Sequence, residues 1–204
     1  MSNNVLQQII DKKKLKLEKL KNEISLENIN DQIEKNNNFI DFKNKIQNNI
    51  DNNNLSIIAE IKKASPSAGI IIENYDPLSI AEIYFKNKAT CLSILTEEDY
   101  FLGKLDHIKK IKQKINLPVL CKDFFIDKFQ VKLSKSYGAD AILIILAGVN
   151  EKIADELYQE AVNQKMSVIV EVHTVDEAKK SLKYHDALIG INNRNLKTLE
   201  TNIN

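Results

Sequence analysis

The chain has 204 residues, of which 43% are hydrophobic and 28% charged, so it has enough apolar material for a large globular core. Lysine and arginine number 29 and aspartate and glutamate 28, a balance that gives no general attraction to nucleic acid or anionic membranes. No apolar stretch approaches the roughly 20 residues that span a bilayer, and the polar amino terminus does not resemble a signal peptide. We therefore expect a cytoplasmic protein that binds neither nucleic acid nor membrane.

Residues 1–50 are predicted to form peripheral helices that carry no catalytic groups. Apolar residues recur at approximate helical spacing from Val5 to Leu20 and again from Ile33 to Ile46, with lysines between them in the first stretch. The asparagine clusters at 36–38 and 52–54 are poor helix formers and indicate loops. We interpret this segment as a helical cap over one end of the main fold.

From Ser56 onward, short apolar runs are typical of strands buried in a parallel sheet. They are Ser56–Ile61, Cys91–Thr96, Val119–Lys122, Ala141–Leu146, Ser167–Val172 and Ala187–Ile191. Amphipathic segments separate them and are predicted to be helices. Residues typical of helix starts are Asp76 before Pro77, Asp127, and Thr174 three residues before Glu177, and Gly138 is typical of a helix end. Six strands alternating with five helices predict a parallel α/β fold, and this pattern fits both a barrel and an open doubly wound sheet.

Polar and charged side chains end several of these strands, as in an active site at the carboxyl end of an α/β barrel. They are Glu60 and Lys62 at the end of the first strand, Lys122 at the end of the third, Glu171 in the fifth, and Asn192 and Arg194 just after the sixth. Because side chains alternate along a strand, Glu60 and Lys62 share one side, and the lysines and glutamates are expected to converge in one cavity. Such a set suits acid–base chemistry on an anionic substrate. A structural salt-bridge network is the alternative, and the participation of four strands disfavours it.

Other chemical groups give weaker signals. The loop from Ser65 to Gly69 has the composition of a ligand-binding loop, and an ordinary turn fits it equally well. Cys91 and Cys121 lack CxxC spacing and are interpreted as buried reduced thiols. No histidine pair has metal-ligand spacing, so no metal is expected, and His173 is expected to flank the site from the side of its strand opposite Glu171. The chain has no GxGxxG or GxxxxGK[ST] motif, which disfavours nucleotide binding.

Several of these segments together resemble indole-3-glycerol phosphate synthases, the ring-closing enzymes of tryptophan biosynthesis. The matching pieces are IIAEIKKASPSAG, LSILTEEDYFLG, LPVLCKDFFID, GADAILIILA, VIVEVHT and IGINNRNLKT. The resemblance implies an α/β fold, a (β/α)8 TIM barrel of the ribulose-phosphate-binding type, here with about six βα units. It also implies a single domain made of an N-terminal helical extension over residues 1–50 and an incomplete barrel over residues 51–204.

The resemblance implies a carbon–carbon lyase that needs no cofactor. Its substrate would be a phosphorylated small molecule, 1-(2-carboxyphenylamino)-1-deoxyribulose 5-phosphate, converted to indole-3-glycerol phosphate with loss of carbon dioxide and water. Lys122 would be the general acid that protonates the ribulose carbonyl, and Lys62 would hold the anthranilate carboxylate and is a second candidate acid. Glu171 would be the base for the dehydration, with Glu60 as its electrostatic partner. The implied substrate-binding residues are Asn192 for a hydroxyl, Pro66 and Phe124 for the aromatic ring, and Arg194 and Ser65.

The carboxyl terminus departs from the family pattern. Members of the family continue past the sixth strand with a Ser-Glu-Ser-Gly strand end and a glycine-containing loop that supply most of the phosphate site, whereas this sequence stops at Asn204. We therefore expect an incomplete barrel with exposed edges on its first and sixth strands. Two readings follow: a fragment of a working synthase, or an inactive truncated remnant that acts at most as a binding module. Some relatives are fused to phosphoribosylanthranilate isomerase, so fusion or pairing with that enzyme is a further expectation.

Overall fold

The computed structural model describes residues 5–36, 38–194 and 201. The strands within these residues are β1 (Ile58–Ile61), β2 (Ala64–Ser65), β3 (Gly69–Ile70), β4 (Cys91–Leu95), β5 (Val119–Lys122), β6 (Ala141–Ile145), β7 (Ser167–Val172) and β8 (Leu188–Ile191). The helices are α1 (Val5–Glu23), α2 (Leu26–Lys35), α3 (Phe42–Asp51), α4 (Pro77–Lys86), α5 (Leu105–Lys112), α6 (Lys128–Ser136), α7 (Glu151–Asn163) and α8 (Val175–Ser181). In this part of the chain, no helix is both long enough and apolar enough to cross a bilayer.

The main sheet is parallel and its strands follow one another in the order β1-β4-β5-β6-β7-β8. This order never reverses, whereas a doubly wound sheet has a point at which the strand order switches direction. The described residues therefore form a curled half barrel, and the doubly wound alternative is excluded for them. The six predicted strands are confirmed to within two residues at each end. Among the described residues, β1 and β8 are the two outermost strands of the sheet, at the positions where edges were predicted.

The predicted helix boundaries depend on short-range hydrogen bonds that the structure contains. Asp76 caps α4 by accepting from the backbone N–H groups of residues 78 and 79, and Pro77 is the first helical residue. Asp127 caps α6 in a capping box with Gln130, and Gly138 follows that helix with a φ of +99°. Thr174 caps α8 by accepting from the backbone N–H of residue 177. These predictions are confirmed.

Alternation along the strands produces two apolar layers. The outer layer lies between the sheet and helices α4 to α8 and includes Cys121. The inner layer includes Leu120, Leu143 and Ile169, which pack with Phe42 of α3 near the amino ends of the strands. Both cysteines are free and buried, as predicted. Helix α3 therefore fills the amino end of the half barrel.

Helix α1 covers the opposite, carboxyl end of the sheet. The Nζ atom of Lys13 lies 2.6 Å from Oδ1 of Asp123, directly after β5, and only 10% of each side chain is exposed. Asp123 also accepts from Thr96 Oγ1 at 2.7 Å. The amino-terminal segment thus covers both ends of the half barrel, whereas the sequence predicted a cap over one end.

A buried polar cluster links the amino ends of β5 and β6. Lys112 Nζ lies 2.8 Å from Oδ2 of Asp140, with side-chain exposures of 4% and 0%. Asp140 also accepts from the backbone N–H groups of Ile40 at 2.7 Å and Val119 at 2.8 Å. One carboxylate therefore links the segment before α3 to α5, β5 and β6.

Gly103 has no room for a side chain. A Cβ atom at this position would lie 2.2 Å from the backbone oxygen of Leu95, at the end of β4. We expect Gly103→Ala to destabilise the fold by about 3 kcal/mol or more, because backbone must move to relieve the overlap. Thermal unfolding monitored by circular dichroism measures the loss. Gly148→Ala is the matched control, since the nearest atom to its added Cβ is 3.7 Å away; equal melting temperatures for the two variants would contradict the prediction.

Candidate functional site

A cavity of about 740 Å³, including its open mouth, lies at the carboxyl end of the sheet under α1. All nine residues singled out from the sequence line it: Glu60, Lys62, Ser65, Pro66, Lys122, Phe124, Glu171, Asn192 and Arg194. Apolar residues complete the wall, and these are Val5, Leu6, Ile9, Leu95, Phe101, Leu143 and Ile145. The cavity therefore has a charged floor at the strand ends and an apolar side.

Glu60 is paired with both lysines of the cavity. Its Oε2 atom lies 2.6 Å from Nζ of Lys122, and its Oε1 atom lies 2.5 Å from Nζ of Lys62. Burial raises the pKa of the Glu60 carboxyl, but the two ammonium groups outweigh burial and leave the pKa below its ordinary value. About a third of each of these side chains is exposed, so the three groups are half-buried and accessible from the cavity. Glu60 is therefore a carboxylate that holds two cations in place.

Glu171 is a second carboxylate, at the carboxyl end of β7. Asn192 Nδ2 donates to its Oε1 at 3.2 Å, and the His173 ring lies 3.3 Å from the same atom. Burial raises the pKa of Glu171, but contacts with His173 and Asn192 and the charge of Lys122 bring it below its ordinary value. Lys122 is thus the charge that Glu60 and Glu171 have in common.

The prediction that His173 lies on the opposite side of its strand from Glu171 is wrong. Residues two apart in an extended chain point to the same side, and the structure places Nε2 of His173 3.3 Å from Glu171. The signal was therefore present in the spacing of the two residues. The other ring nitrogen of His173, Nδ1, lies 3.6 Å from Oε2 of Glu177 in α8.

The loop after β1 is a short antiparallel hairpin formed by β2 and β3. Ser65 Oγ accepts from the backbone N–H of Ala68 at 3.2 Å, and Gly69 has a φ of +64°. The prediction of an ordinary turn is confirmed, and Ser65, Pro66 and Ser67 of this turn line the cavity. That the loop binds a ligand stays a prediction. The hairpin itself was not predicted from the sequence.

Sequence reasoning missed two parts of the cavity wall. The α1 residues Val5, Leu6 and Ile9 were recognised as an apolar helical stripe, but their partner was not identified. Phe101 lies in the loop after β4, which Glu97 shapes by accepting backbone N–H groups of residues 99, 100 and 101. The acidic residues of this loop were the signal available in the sequence. In the structure Glu97 is only 2% exposed.

The arrangement can bind anions and exchange protons. Two ammonium groups and two carboxylates face one cavity, and hydrophobic side chains form the rest of its wall. Such a site can hold an aromatic molecule with a negative charge and can supply both a proton donor and a proton acceptor. Among the described residues, no group of three or more histidines, cysteines, aspartates or glutamates is placed to hold a metal ion.

The chain is similar in sequence to known proteins. The family model described as "Indole-3-glycerol phosphate synthase" matches residues 6–204. A protein of that name from Aliarcobacter butzleri is 47% identical over 146 residues, which is 72% of this chain and 56% of the relative. The relative from Azospirillum brasilense is 43% identical over 162 residues, covering 79% of this chain and 62% of that protein.

A longer alignment joins the chain to a protein of the same name from Prochlorococcus marinus, with 41% identity over 202 residues, 98% of this chain and 68% of the relative. The chain spans between about half and two thirds of the length of these relatives. The family match extends over the N-terminal helices, the half barrel and all nine cavity residues predicted from the sequence. The chain belongs to the indole-3-glycerol phosphate synthase family.

Proposed function

We propose that the protein is an indole-3-glycerol phosphate synthase, a carbon–carbon lyase of tryptophan biosynthesis. It would convert 1-(2-carboxyphenylamino)-1-deoxyribulose 5-phosphate to indole-3-glycerol phosphate, carbon dioxide and water. The observation that carries the proposal is the pairing of Lys122 and Lys62 with Glu60 in a cavity that also holds Glu171. An inactive remnant is disfavoured, because the predicted polar and apolar groups lie together in one cavity.

The proposed first step joins the aromatic ring to the sugar. The ring carbon that bears the carboxylate attacks the ribulose carbonyl carbon, a new carbon–carbon bond forms, and the carbonyl oxygen takes a proton from Lys122. The carboxylate then leaves as carbon dioxide, and its bonding electrons restore the aromatic ring. Lys62 holds that carboxylate before it leaves and is the second candidate acid. Glu60 supports this step by keeping both ammonium groups at the floor of the cavity.

The proposed second step removes water and forms the indole. Glu171 accepts a proton from the sugar carbon that is bonded to the nitrogen, and the electrons of that C–H bond form the new ring double bond. The hydroxyl that came from the carbonyl leaves as water, aided by protonation from one of the two lysines. Asn192 contacts Glu171 and is placed to orient a substrate hydroxyl beside it. Pro66 and Phe124 form the slot for the aromatic ring, with Ser65 and Arg194 at its polar border. No step in this scheme requires a metal or an organic cofactor.

We also propose the wider architecture that the family resemblance implies. The described half barrel would be part of a (β/α)8 barrel of the ribulose-phosphate-binding type, with residues 1–50 as a helical extension and 51–204 as barrel in a single domain. The uninterrupted strand order and the contacts of α1 and α3 with the sheet support this arrangement. A cytoplasmic location is a proposal that rests on the composition of the sequence, and pairing or fusion with phosphoribosylanthranilate isomerase is a proposal that rests on the resemblance.

Indole formation tests the proposed function directly. The purified chain is incubated with the carboxyphenylamino-deoxyribulose phosphate, and indole fluorescence is recorded while mass spectrometry identifies the product. We expect fluorescence to rise with time and a product lighter than the substrate by one carbon dioxide and one water. A reaction without protein and a reaction with heat-denatured protein are the controls. Folded protein that binds the substrate but forms no indole would contradict the proposal.

A further inference from the structure

The His173 ring lies between two carboxylates. Nε2 is 3.3 Å from Oε1 of Glu171, and Nδ1 is 3.6 Å from Oε2 of Glu177. Only 9% of the His173 side chain is exposed. Within the described part of the chain neither ring nitrogen makes a hydrogen bond of good geometry, so the two carboxylates are ion-pair partners of the ring. The ring therefore has one carboxylate near each of its two nitrogen atoms.

This position favours the charged form of the ring. A neutral imidazole has one N–H and can satisfy one of the two carboxylates, whereas an imidazolium presents an N–H to each. Contact with Glu171 raises the pKa of His173, burial lowers it, and the charge of Glu177 adds to the rise, so that the pKa lies above its ordinary value. The geometry and the direction of the pKa shift agree.

Helix α8 also holds His173 in position, through Glu177. Its backbone N–H donates to Oε2 of Glu177 at 2.7 Å, so one carboxylate contacts both the backbone and the ring. Thr174 begins the turn by capping α8. The orientation of the ring is therefore set by the helix, and the ring in turn contacts the carboxylate that faces the cavity.

We propose that His173 is a positioning residue for Glu171: its ring, held by Glu177, keeps the Glu171 carboxylate charged and directed at Asn192 in the cavity. The catalytic meaning of this inference rests on the proposed function, in which Glu171 is the base of the dehydration. The effect of His173 on the Glu171 carboxylate does not depend on that function, because it arises from contacts within the protein. It adds a residue to the site that is not among the nine predicted from the sequence.

Other charges act on the same carboxylate. Lys122 faces Glu171 from β5, and Glu60 partly neutralises Lys122. Lys62 and Arg194 line the same cavity. Because these cations remain when His173 is removed, we expect its loss to raise the pKa of Glu171 without abolishing its ionisation.

Nuclear magnetic resonance titration tests the proposal without any need for turnover. The chain has three histidines, so their ring signals can be assigned by substitution. We expect His173 to titrate above the ordinary histidine pKa of about 6.5, and its midpoint to fall in Glu171→Gln. In protein labelled with ¹³C at the glutamate carboxyls, the Glu171 midpoint should rise in His173→Gln. His185→Gln, an exposed position, is the matched control and should leave both midpoints unchanged.

The Glu177→Gln variant distinguishes a role of His173 in positioning Glu171 from a role that only stabilises α8. We expect this variant to lower the His173 midpoint and to move the Glu171 midpoint less than His173→Gln does. A pH dependence of stability gives a second readout: a raised folded-state pKa stabilises the fold below about pH 6.5, and this contribution disappears as pH rises through the folded-state value. The melting temperatures of wild type and His173→Gln should therefore differ more at pH 6 than at pH 9.

Two results would overturn the inference. One is a His173 midpoint at or below the ordinary value, and the other is a Glu171 midpoint that is the same in wild type and His173→Gln. Either result leaves indole formation untouched as a separate question. Conversely, a chain that forms no indole but shows the linked titrations would refute the proposed function and retain the positioning role of His173.

Discussion

Replacing Lys122 with alanine is expected to lower indole formation by about 10²- to 10⁴-fold, the range over which a positioned general acid contributes. In the proposed scheme the carbonyl oxygen takes its proton from Lys122 as the new carbon–carbon bond forms. Without that proton, negative charge accumulates on an oxygen beside Glu60 and Glu171. The turnover number should therefore fall far more than the Michaelis constant rises, because the lost interaction belongs to the transition state.

Two further lysine variants make this result specific. Lys122→Arg keeps a positive charge next to Glu60 but cannot release a proton at neutral pH, so we expect turnover nearly as low as in the alanine variant. Lys152→Ala, at a side chain that is 85% exposed, is the matched control and should retain full activity. Circular dichroism should show folded protein in all three. Near-normal turnover in Lys122→Ala, or recovery in Lys122→Arg, would contradict the role of Lys122 as the acid.

Asp140→Ala is expected to have the largest effect on stability, a loss of about 3–5 kcal/mol. Burial raises the pKa of Asp140, although Lys112 and two backbone N–H groups favour its carboxylate, so the ion pair itself contributes little net stability. Removing one partner is different, because it leaves the ammonium group of Lys112 buried and unpaired. Lys135 is also buried there, over the ring of Phe39, and burial lowers its pKa to about 8.

Thermal and denaturant unfolding measure this loss, which should lower the melting temperature by about 10 °C for a chain of this size. Asp186→Ala, at a side chain that is 86% exposed, is the matched control. In the double variant Lys112→Met with Asp140→Ala, part of the stability should return because no buried charge is left from the pair. The recovery of stability will be incomplete, since the backbone N–H groups of Ile40 and Val119 still lack their acceptor. A single variant as stable as Asp186→Ala would contradict this account.

Much of the fold could be predicted from the sequence because it depends on neighbouring residues. The strands of a parallel sheet are short apolar runs, and all six appear as such in the chain, although only the four inner strands are largely buried and residues of β1 and β8 are partly exposed. Helix starts depend on a capping side chain and a backbone N–H two or three residues later, so Asp76, Asp127 and Thr174 were sufficient to place three of them. The expected edges on the first and last strands of the sheet follow from counting strands.

The candidate site was also visible in the sequence, for a similar reason. Parallel strands bring their carboxyl ends to one edge of the sheet, so Glu60, Lys122 and Glu171 were expected at that edge, and the curl of the sheet brings them into one cavity. Parity along a strand placed Lys62 with Glu60. The same rule also places His173 on the side of Glu171, contrary to the prediction.

What the sequence alone determined was therefore the order of the elements, their boundaries and the set of polar groups at the carboxyl ends of the strands. The tertiary structure decided which groups pair. Glu60 contacts both lysines, Lys13 fixes α1 to Asp123 over a separation of 110 residues, and Phe101 reaches the cavity from the loop after β4. Local propensity cannot specify these contacts, because they depend on distances between segments that approach only after the sheet has curled and α1 has packed across its end.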